Sequence, residues 1–441
     1  MTTIAQAKTS YQAHFSQVAK ELGQDWKGWV RRLRETAISR FGEMGFPTLR
    51  DEEWKYTNVA LILDTPFQPA PYDVRSLRSD MPAWVSLGSF EGSEMVFVNS
   101  HYSPEFSSLG QLPRGVEVGS LAAAVTAEAR WVESHLARYA CYQERAFVAL
   151  NTALMQDGAF VYVPEGKVLE GPIHLLFISA AGKGATVSHP RILIVIGKGA
   201  QASIIESYTG RQDEVYFTNA VTEIVIGENA VVEHYKLQRE SERAFHMATL
   251  EAHVERGGNF LSHSVSLGGA LTRNEINAIL DGEGCECALN GLYIASGEQH
   301  IDNHTRIDHV KPHGTSRELY KGILDGRSRG VFNGKIYVHK TAEKSDAKQT
   351  NNNLLLSRDA LIDTKPQLEI YNNDVKCSHG STIGRLDQDS IFYLRSRGIG
   401  VEAARNLLTY AFASDVINRI KVGPMREQLD QLLTAKFHGG S

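Results

Sequence analysis

The 441-residue sequence is poor in cysteine, in long apolar runs and in positive charge. Its four cysteines are Cys141, Cys285, Cys287 and Cys377. They are too sparse for a disulfide framework, which favours a reduced, cytoplasmic protein. The 46 Lys and Arg residues are outnumbered by 51 Asp and Glu, giving a net charge of −5. That balance argues against general nucleic-acid binding, which needs clustered positive charge. Even a run as apolar as Ile192 to Ile196 is far too short to cross a bilayer, and the polar N-terminus resembles no secretory signal.

Two motifs of catalytic proteins are also missing. The stretch that comes nearest to a phosphate-binding loop is Gly330-Val-Phe-Asn-Gly-Lys-Ile336. It is one residue short and lacks the Ser or Thr that would hold magnesium. A Gly-x-Ser-x-Gly pattern occurs at Gly326-Arg-Ser-Arg-Gly330, but it lies among short strands and turns with no helical pattern after it, so it is not the strand-to-helix nucleophile elbow of a serine hydrolase. We therefore expect that the chain neither hydrolyses ATP nor acts as a serine hydrolase.

The first third of the chain has helical periodicity. One apolar stripe repeats every three or four residues and consists of Trp26, Trp29, Val30, Leu33, Ala37 and Phe41. Asp25 is positioned to cap this helix, and Gly42, Gly45 and Pro47 are expected to end it. A second helical stretch is predicted over Leu121–Leu154, with Leu136, Tyr139 and Ala140 on one face. Together these patterns predict an N-terminal helical domain over residues 1–155.

From about Val161 the periodicity changes from 3.6 to 2, as in Ala248–Glu255, where apolar and polar residues alternate. Turn motifs recur at Gly197, Gly227, Arg256 and Gly282, which are 30, 29 and 26 residues apart. Such a drifting repeat of glycine turns and short strands is typical of a parallel β-helix. We therefore predict a mainly β protein whose core spans residues 156–388. A β-sandwich or jelly roll remains the alternative.

Helical periodicity returns near the C-terminus. Ser390 is expected to cap Ile391–Arg397, and Gly398 to supply the left-handed stop. Pro424 is expected to open a last helix. The amphipathic stripe between them contains Val401, Ala404, Leu408, Ala411, Ile417 and Ile420. We assign residues 389–441 to a C-terminal helical domain, which can cover part of the solenoid.

Three groups of residues are candidate metal ligands. Cys285 and Cys287 form a Cys-x-Cys pair, but with no further cysteine nearby the pattern favours two small apolar core residues. Four histidines, His300, His304, His309 and His313, would form ligand pairs on a helix. Because their surroundings predict strand and turn, hydrogen-bonded histidines within the solenoid are favoured instead.

The third group is Cys377 with His379. If this segment is extended, both side chains point to one face of the strand. Thiolate and imidazole suit iron or zinc, yet two ligands do not close a tetrahedral site. Either distant turns or a partner chain would supply the others. The alternative is a packed cysteine beside a surface histidine.

Several of these segments resemble the SufB/SufD family. The likeness lies in Lys365-Pro-Gln-Leu-Glu-Ile370 and Asp374-Val-Lys-Cys-Ser-His-Gly380, and it continues through Phe392-Tyr-Leu and Ser396-Arg-Gly-Ile399. Upstream, Glu53-Trp-Lys-Tyr-Thr57 is similar to the N-terminal motif of the D-type members. The N-terminal cysteine cluster of the B type is lacking. The resemblance runs from about Glu53 to Phe412.

The resemblance implies a right-handed parallel β-helix flanked by helical domains. It implies a scaffold subunit without catalysis of its own, in a complex with one SufB and two copies of the ATPase SufC. A transient iron-sulfur cluster would form at the SufB interface, with His379 as the stronger ligand candidate and Cys377 as the second. It leaves open whether reduced flavin binds the complex, and a homodimer is conceivable without SufB. The residues implied in SufC docking are Phe392, Tyr393, Leu394, Arg397, Gly398, Ala404 and Leu408.

Two other functions are compatible with the residues alone. One is a carbohydrate-active β-helix enzyme, which would need clustered acidic side chains for calcium and a nearby base. Its candidates are Asp302, Asp308, Asp325 and Arg327. The other is a purely structural adaptor that anchors the ATPase and has no metal role.

Overall fold

The fold is a long parallel β-helix with helices along its sides. A computed structural model of the chain describes residues 4–21, 28–74, 92–180, 182 and 184–438. Within these ranges the helices are α1 (Ile4–Glu21), α2 (Gly28–Met44), α3 (Ala60–Asp64), α4 (Leu121–Thr126), α5 (Arg130–His135), α6 (Ala146–Leu154), α7 (Gln388–Ser396), α8 (Val401–Ile417) and α9 (Gly423–His438). None of the described helices is long and apolar enough to cross a membrane.

The strands fall into a short N-terminal set and a long regular series. The N-terminal set is β1 (Gln68–Pro69), β2 (Ser93–Val98), β3 (His101–Tyr102) and β4 (Glu117–Ser120). The series is β5 (Gly158–Val163), β6 (Ile173–Ser179), β7 (Thr186–Ser188), β8 (Arg191–Ile196), β9 (Gln201–Gly210), β10 (Tyr216–Ile226), β11 (Val231–Arg239), β12 (Phe245–Val254), β13 (Asn259–Ser266), β14 (Leu271–Leu280), β15 (Glu286–Ala295), β16 (His300–His309), β17 (Thr315–Leu324), β18 (Arg329–Val338), β19 (Asp346–Leu355), β20 (Leu361–Ile370) and β21 (Lys376–Gly384).

Successive strands of the long series alternate between two sheets. One sheet runs β20-β18-β16-β14-β12-β10-β8-β5-β4, and the other runs β21-β19-β17-β15-β13-β11-β9-β6-β2-β3. Pairing is parallel throughout the series. In the first sheet, each strand from β8 to β20 pairs residue by residue with the next strand, without a register shift. Each coil therefore gives one strand to each sheet, and the predicted parallel β-helix is confirmed. The sandwich alternative is wrong, because it would need antiparallel sheets.

The predicted turns stack on one another along the solenoid. The Gly199 N–H donates to the Glu228 carbonyl at 2.8 Å, and the Asn229 N–H donates to the Arg256 carbonyl at 2.8 Å. The Gly257 N–H donates in the same way to the Glu283 carbonyl at 2.9 Å. These bonds satisfy backbone groups in the turns and fix the spacing of successive coils.

The space between the two sheets is the main hydrophobic core. Its residues alternate along each strand with outward-facing ones, as a period of two requires. Representative members are Ile194, Ile224, Val232, Phe260, Ile276, Leu289, Ile307 and Phe332. Cys285 and Cys287 belong to the same core and are buried, so the predicted packing role is confirmed.

In the N-terminal part, α2 forms as the apolar stripe predicts and buries Val30, Ala37 and Phe41. It ends before Gly45, whose φ is +69°, but it runs through Gly42, so the expectation that Gly42 helps to end it is wrong. The proposed cap Asp25 and the first stripe residue Trp26 lie outside the described residues.

The helix predicted through Leu136, Tyr139 and Ala140 is wrong. The chain leaves α5 at His135 and passes through a left-handed residue, Ala137, at φ 59°. The backbone N–H groups of residues 137, 139 and 140 then donate to the Glu223 carboxylate at 2.8 to 3.0 Å. A buried acceptor on β10 thus takes the donors that a continuing helix would have used.

The two ends of the β-helix differ. At the N-terminal end the short antiparallel strands β3 and β4 finish the two sheets. They come from within residues 1–155, so this part of the chain is not only helical; the domain boundaries themselves stay a prediction. At the other end β20 and β21 are the last strands in their sheets, and no described strand pairs beyond them.

The C-terminal helices fold back along the outer face of the sheet that contains β21. Ile417, Leu429 and Leu433 pack there against side chains of the odd-numbered strands. The cap of α7 is Asp387, whose carboxylate accepts from the N–H groups of Asp389 and Ser390, so the prediction of Ser390 as the cap is wrong. Asp387 caps the helix instead of Ser390 because α7 starts three residues earlier than its apolar pattern indicates. Gly398 adopts φ 86° after the helix, as predicted.

Candidate functional site: the open end of the β-helix

The last coil, β20 with β21, presents an uncovered end of the solenoid. Both strands have a free edge, and their inward-facing side chains are covered on one side only. Four large apolar side chains are exposed there, led by Leu361 at 60% and Ile383 at 52%, and the others are Ile370 and Tyr371. A free strand edge beside exposed apolar residues is a surface suited to pairing with another chain.

Cys377 and His379 both lie on β21, two residues apart, so their side chains face the same way as predicted. In the register, Cys377 follows Ala347 and His379 follows Gln349, both of which are buried between the sheets. The pair therefore occupies interior positions of a coil that has no successor. Cys377 is partly covered and His379 is exposed. Partial burial raises the pKa of the Cys377 thiol, which keeps it protonated in the isolated chain.

These two side chains remain a half-site. Among the described residues, no three histidine, cysteine, aspartate or glutamate side chains come together in a metal-binding arrangement. Iron in a sulfide cluster is held by thiolate or imidazole groups, and a complete set would need donors from elsewhere.

The four candidate histidines do not converge. His300 lies within 3.0 Å of the Thr57 hydroxyl, and His304 contacts Asp302 at 3.0 Å. His309 points inward to the Ser316 hydroxyl at 2.8 Å, and His313 lies in a turn. The prediction that they are separately hydrogen-bonded is confirmed for His300, His304 and His309. His313 has a 4.0 Å contact with Glu283 instead.

The acidic residues of the carbohydrate hypothesis are also dispersed. Asp302 is buried and held by Arg273, whereas Asp308 pairs with Arg306 on the same strand. Asp325 and Arg327 lie in the turn after β17, with Arg327 paired to Glu298. No calcium-type cluster is assembled from them within the described ranges.

The Glu53-to-Thr57 motif clamps the N-terminal segment onto the outer face of the other sheet. The Arg273 guanidinium stacks 3.8 Å from the centre of the Trp54 ring and donates to the Glu53 carbonyl at 2.8 Å. The Thr57 hydroxyl donates to Asp302 at 2.5 Å. Preceding the motif, Glu52 pairs with Lys365 on β20, so the clamp reaches the last coil. The sequence marked the motif but not Arg273, its main partner.

The electrostatics of this clamp are strongly coupled. A hydrogen bond from His304 lowers the pKa of Glu53 to about 2. Burial opposes ionisation of Asp302, but Arg273 and His304 together hold the pKa of that carboxyl below its usual value. The charges are paired inside the protein, so the clamp is a structural junction rather than a reactive centre.

The predicted docking residues divide into exposed and buried sets. Phe392 is 72% exposed and Tyr393 57% exposed, while Arg397 lies 5.0 Å from the centre of the Tyr393 ring. Leu394 and Leu408 are half-buried against the C-terminal core, and Gly398 is exposed in the turn after α7. Ala404 is fully buried, so it supports α8 from within and does not reach the surface.

Sequence reasoning missed two exposed apolar residues of this region. Val401 was expected in the buried stripe of α8 but is exposed, and Leu407 on the same helix is exposed as well. Phe392, Tyr393, Val401 and Leu407 form what we call the α7–α8 patch. The period of an amphipathic helix predicts which residues form one apolar stripe, but it does not predict which apolar residues stay exposed.

The sequence as a whole matches two family models that together cover most of the chain. Residues 177–412 match the SufBD core domain of SUF-system FeS cluster assembly. Residues 5–175 match the N-terminal region of SufBD proteins. The core match begins inside β6 and ends inside α8, so it covers the open end.

Individual relatives agree with the family models. An iron-sulfur cluster assembly SufBD family protein of Synechocystis is 34% identical over 414 residues, covering 91% of this chain and 90% of the relative. The iron-sulfur cluster assembly protein SufD of Escherichia coli is 32% identical, with 90% of each chain covered. A chloroplastic protein of Arabidopsis, ABCI7, is 29% identical over 91% of this chain and 84% of its own. The chain belongs to the SufB/SufD family of the SUF iron-sulfur cluster assembly system.

Proposed function

We propose that this chain is a D-type scaffold subunit that pairs with SufB through the open end of its β-helix. There the two chains would together hold a nascent iron-sulfur cluster, which is the cargo of the complex. The observation that carries the proposal is the half-site: Cys377 and His379 occupy interior positions of a coil with no successor. A SufB β-helix abutting this end would extend the interior and bring further ligands to the same place.

His379 is the stronger ligand candidate of the two. It is exposed and faces the open end, and an imidazole can bind iron without losing a proton from a neutral ring. The Cys377 thiol has a raised pKa, so it must lose a proton before it binds metal. Burial by a partner chain and the approach of an iron cation would change the protonation equilibrium of the Cys377 thiol. Cys377 is therefore assigned a supporting role in ligation or in sulfur or iron passage.

We assign ATP hydrolysis to SufC, not to this chain. The segment Gly330–Ile336 lies within β18 as regular strand, not as a loop that could cradle phosphates. The α7–α8 patch is the surface we propose for SufC docking, because these two helices expose four large aromatic and aliphatic side chains. Nucleotide-driven SufC dimerisation would pull on these helices and shift the SufB interface between two geometries.

The remaining partners follow from the same proposal. The complex would work in the cytoplasm, and nucleic acid and membrane play no part in it. A homodimer through the same open end is expected when SufB is absent, since the free edge and exposed apolar residues would then be covered by a second copy. Reduced flavin as an electron source would bind to the complex and is not assigned to residues of this chain.

The first test is co-expression with SufB and SufC followed by size-exclusion chromatography. A stable complex of all three proteins is expected, and its failure to form would refute the D-type assignment. The complex is then reconstituted anaerobically with iron and sulfide, and its bound iron, sulfide and visible absorption are measured.

Matched variants separate the ligand role from general damage. His379→Ala should lose most of the cluster while the complex still assembles, whereas His253→Ala, a half-buried histidine on β12, should keep it. Cys377→Ser should lose less than His379→Ala, and Cys141→Ser serves as its control because both cysteines are half-buried. If His379→Ala assembles clusters as well as the unmodified chain, the adaptor hypothesis without a metal role is favoured.

A further inference from the structure

Behind His379, three side chains occupy the same interior position on three successive coils. Glu318 on β17 is the register partner of Gln349 on β19, and Gln349 is the partner of His379 on β21. Neighbouring strands of a sheet lie about 4.8 Å apart, so the three side chains occupy adjacent positions in one column. Glu318 and Gln349 are buried, and only His379 reaches the open end. We call these three residues the end column.

The amide of Gln349 is held in one orientation. Its Nε2 donates to a carboxylate oxygen of Glu318 at 2.8 Å. An ionised carboxylate only accepts hydrogen bonds, so the amide nitrogen must face Glu318. On the facing sheet, Gly334 makes room for this amide: a Cβ there would lie 2.1 Å from the Gln349 nitrogen.

The other end of the amide is unused. The Oε1 atom of Gln349 is buried and has no hydrogen-bond partner among the residues that the structure describes. A buried carbonyl oxygen without a partner costs about 1–3 kcal/mol. The next side chain in the column is His379, whose imidazole carries one ring N–H in its neutral form. A histidine that ligates a metal through one nitrogen usually donates its other N–H to such an oxygen.

We propose that Gln349 and Glu318 are positioning residues for His379. The free oxygen of Gln349 accepts the inner ring N–H of His379, and Glu318 holds the Gln349 amide so that this oxygen faces the histidine. The outer ring nitrogen then carries the lone pair and points out of the open end, toward the iron. The inference deepens the proposed function and rests on it for the role of His379.

The surroundings of Glu318 are consistent with this arrangement. The titratable groups that face it are Cys287 on β15 and Tyr320 on its own strand, and burial raises the pKa of both, so they are neutral. Burial also raises the pKa of Glu318 itself to about 7. Above pH 7 the ionised Glu318 carboxylate fixes the orientation of the Gln349 side-chain amide. A protonated Glu318 can donate to the amide oxygen as well, which frees the amide to turn.

The tautomer of His379 can be measured directly. The full chain is labelled with ¹⁵N-histidine, long-range ¹H–¹⁵N spectra are recorded at pH 8, and the His379→Ala spectrum identifies the resonances of His379. One dominant tautomer is expected in the unmodified chain. Gln349→Leu, which removes the acceptor but keeps the volume, should give a mixture. Glu318→Gln should also weaken the preference, because a neutral amide can accept or donate.

The control is Gln238→Leu. Gln238 is an equally buried glutamine on the same sheet that donates to a buried carboxylate, Glu240, at 3.0 Å, but it lies five strands away from β21 in that sheet. Its replacement should leave the His379 tautomer unchanged. An unchanged tautomer ratio in Gln349→Leu and in Glu318→Gln would overturn the inference.

Cluster assembly gives the second readout. Loss of the group that orients a metal-binding histidine typically costs 10- to 100-fold in affinity or activity. Gln349→Leu is therefore expected to slow reconstitution at least about tenfold, with Gln238→Leu near normal. If His379→Ala itself assembles clusters normally, the proposed function fails. The tautomer spectra then still test whether Gln349 and Glu318 orient the His379 ring. If His379→Ala fails to assemble but Gln349→Leu does not, only the positioning inference is lost.

Discussion

Replacement of Glu318 by Gln should change how the stability of the protein depends on pH. Glu318 is buried without a cationic partner among the described residues, and its pKa is about 7 against an ordinary value of 4.5. Between these values the unfolded chain releases its proton while the folded chain retains it. Below pH 4.5 Glu318 therefore does not lower the free energy of unfolding. Between pH 4.5 and pH 7 it destabilises the folded state progressively, and above pH 7 the destabilisation is constant.

The size of the effect follows from the two pKa values. Their difference of about 2.5, at about 1.4 kcal/mol for each, corresponds to about 3 kcal/mol at high pH. Between pH 5 and pH 8 the change in the free energy of unfolding is about 2–3 kcal/mol. Glu318→Gln has no titrating group, so its free energy of unfolding relative to the unmodified chain should rise by about that amount over this range.

The assay is urea denaturation of both proteins at pH 5 and pH 8, followed by tryptophan fluorescence. Any hydrogen bond that the new amide gains or loses contributes equally at the two pH values and cancels in the comparison. Gln238→Leu, which removes no titrating group, gives the background. A stability difference between Glu318→Gln and the unmodified chain that is the same at pH 5 and pH 8 would refute the reasoning.

Three further predictions concern the interior. Arg191→Met should destabilise the protein by about 3–5 kcal/mol in thermal or urea unfolding, because it leaves the buried Glu223 without its 2.6 Å ion-pair partner; the double variant with Glu223→Gln should recover part of the loss. Gly334→Ala should cost about 1–3 kcal/mol and disturb the end column, because its Cβ would overlap the Gln349 amide; unchanged stability and spectra would contradict the contact. Cys287→Ser should cost about 1–3 kcal/mol by burying a hydroxyl in the apolar core, whereas Cys377→Ser at the open end should change stability by less than about 0.5 kcal/mol.

Periodicity determined the main architecture. The change of period near Val161 and the glycine turns at Gly197 and Gly227 predicted a β-helix. A solenoid repeats one local structure, and that repeat is visible as a repeated sequence pattern. The stripe of α2 and the left-handed stop at Gly398 were equally local and are confirmed. Where a distant side chain intervened, local reasoning failed: Glu223 took the backbone donors that a helix past His135 would have needed.

For the candidate site, the sequence by itself determined the ligand types, their spacing on one face of a strand, and through the family motifs their place in the chain. Only the tertiary structure decided that Cys377 and His379 lie on the last strand of a sheet, where the interior of the β-helix opens to solvent. It also placed Glu318 and Gln349 behind His379, and Arg273 beneath Trp54. Residues about 30 apart become neighbours only when coils stack in one register, and that register is set by the packing of every coil at once.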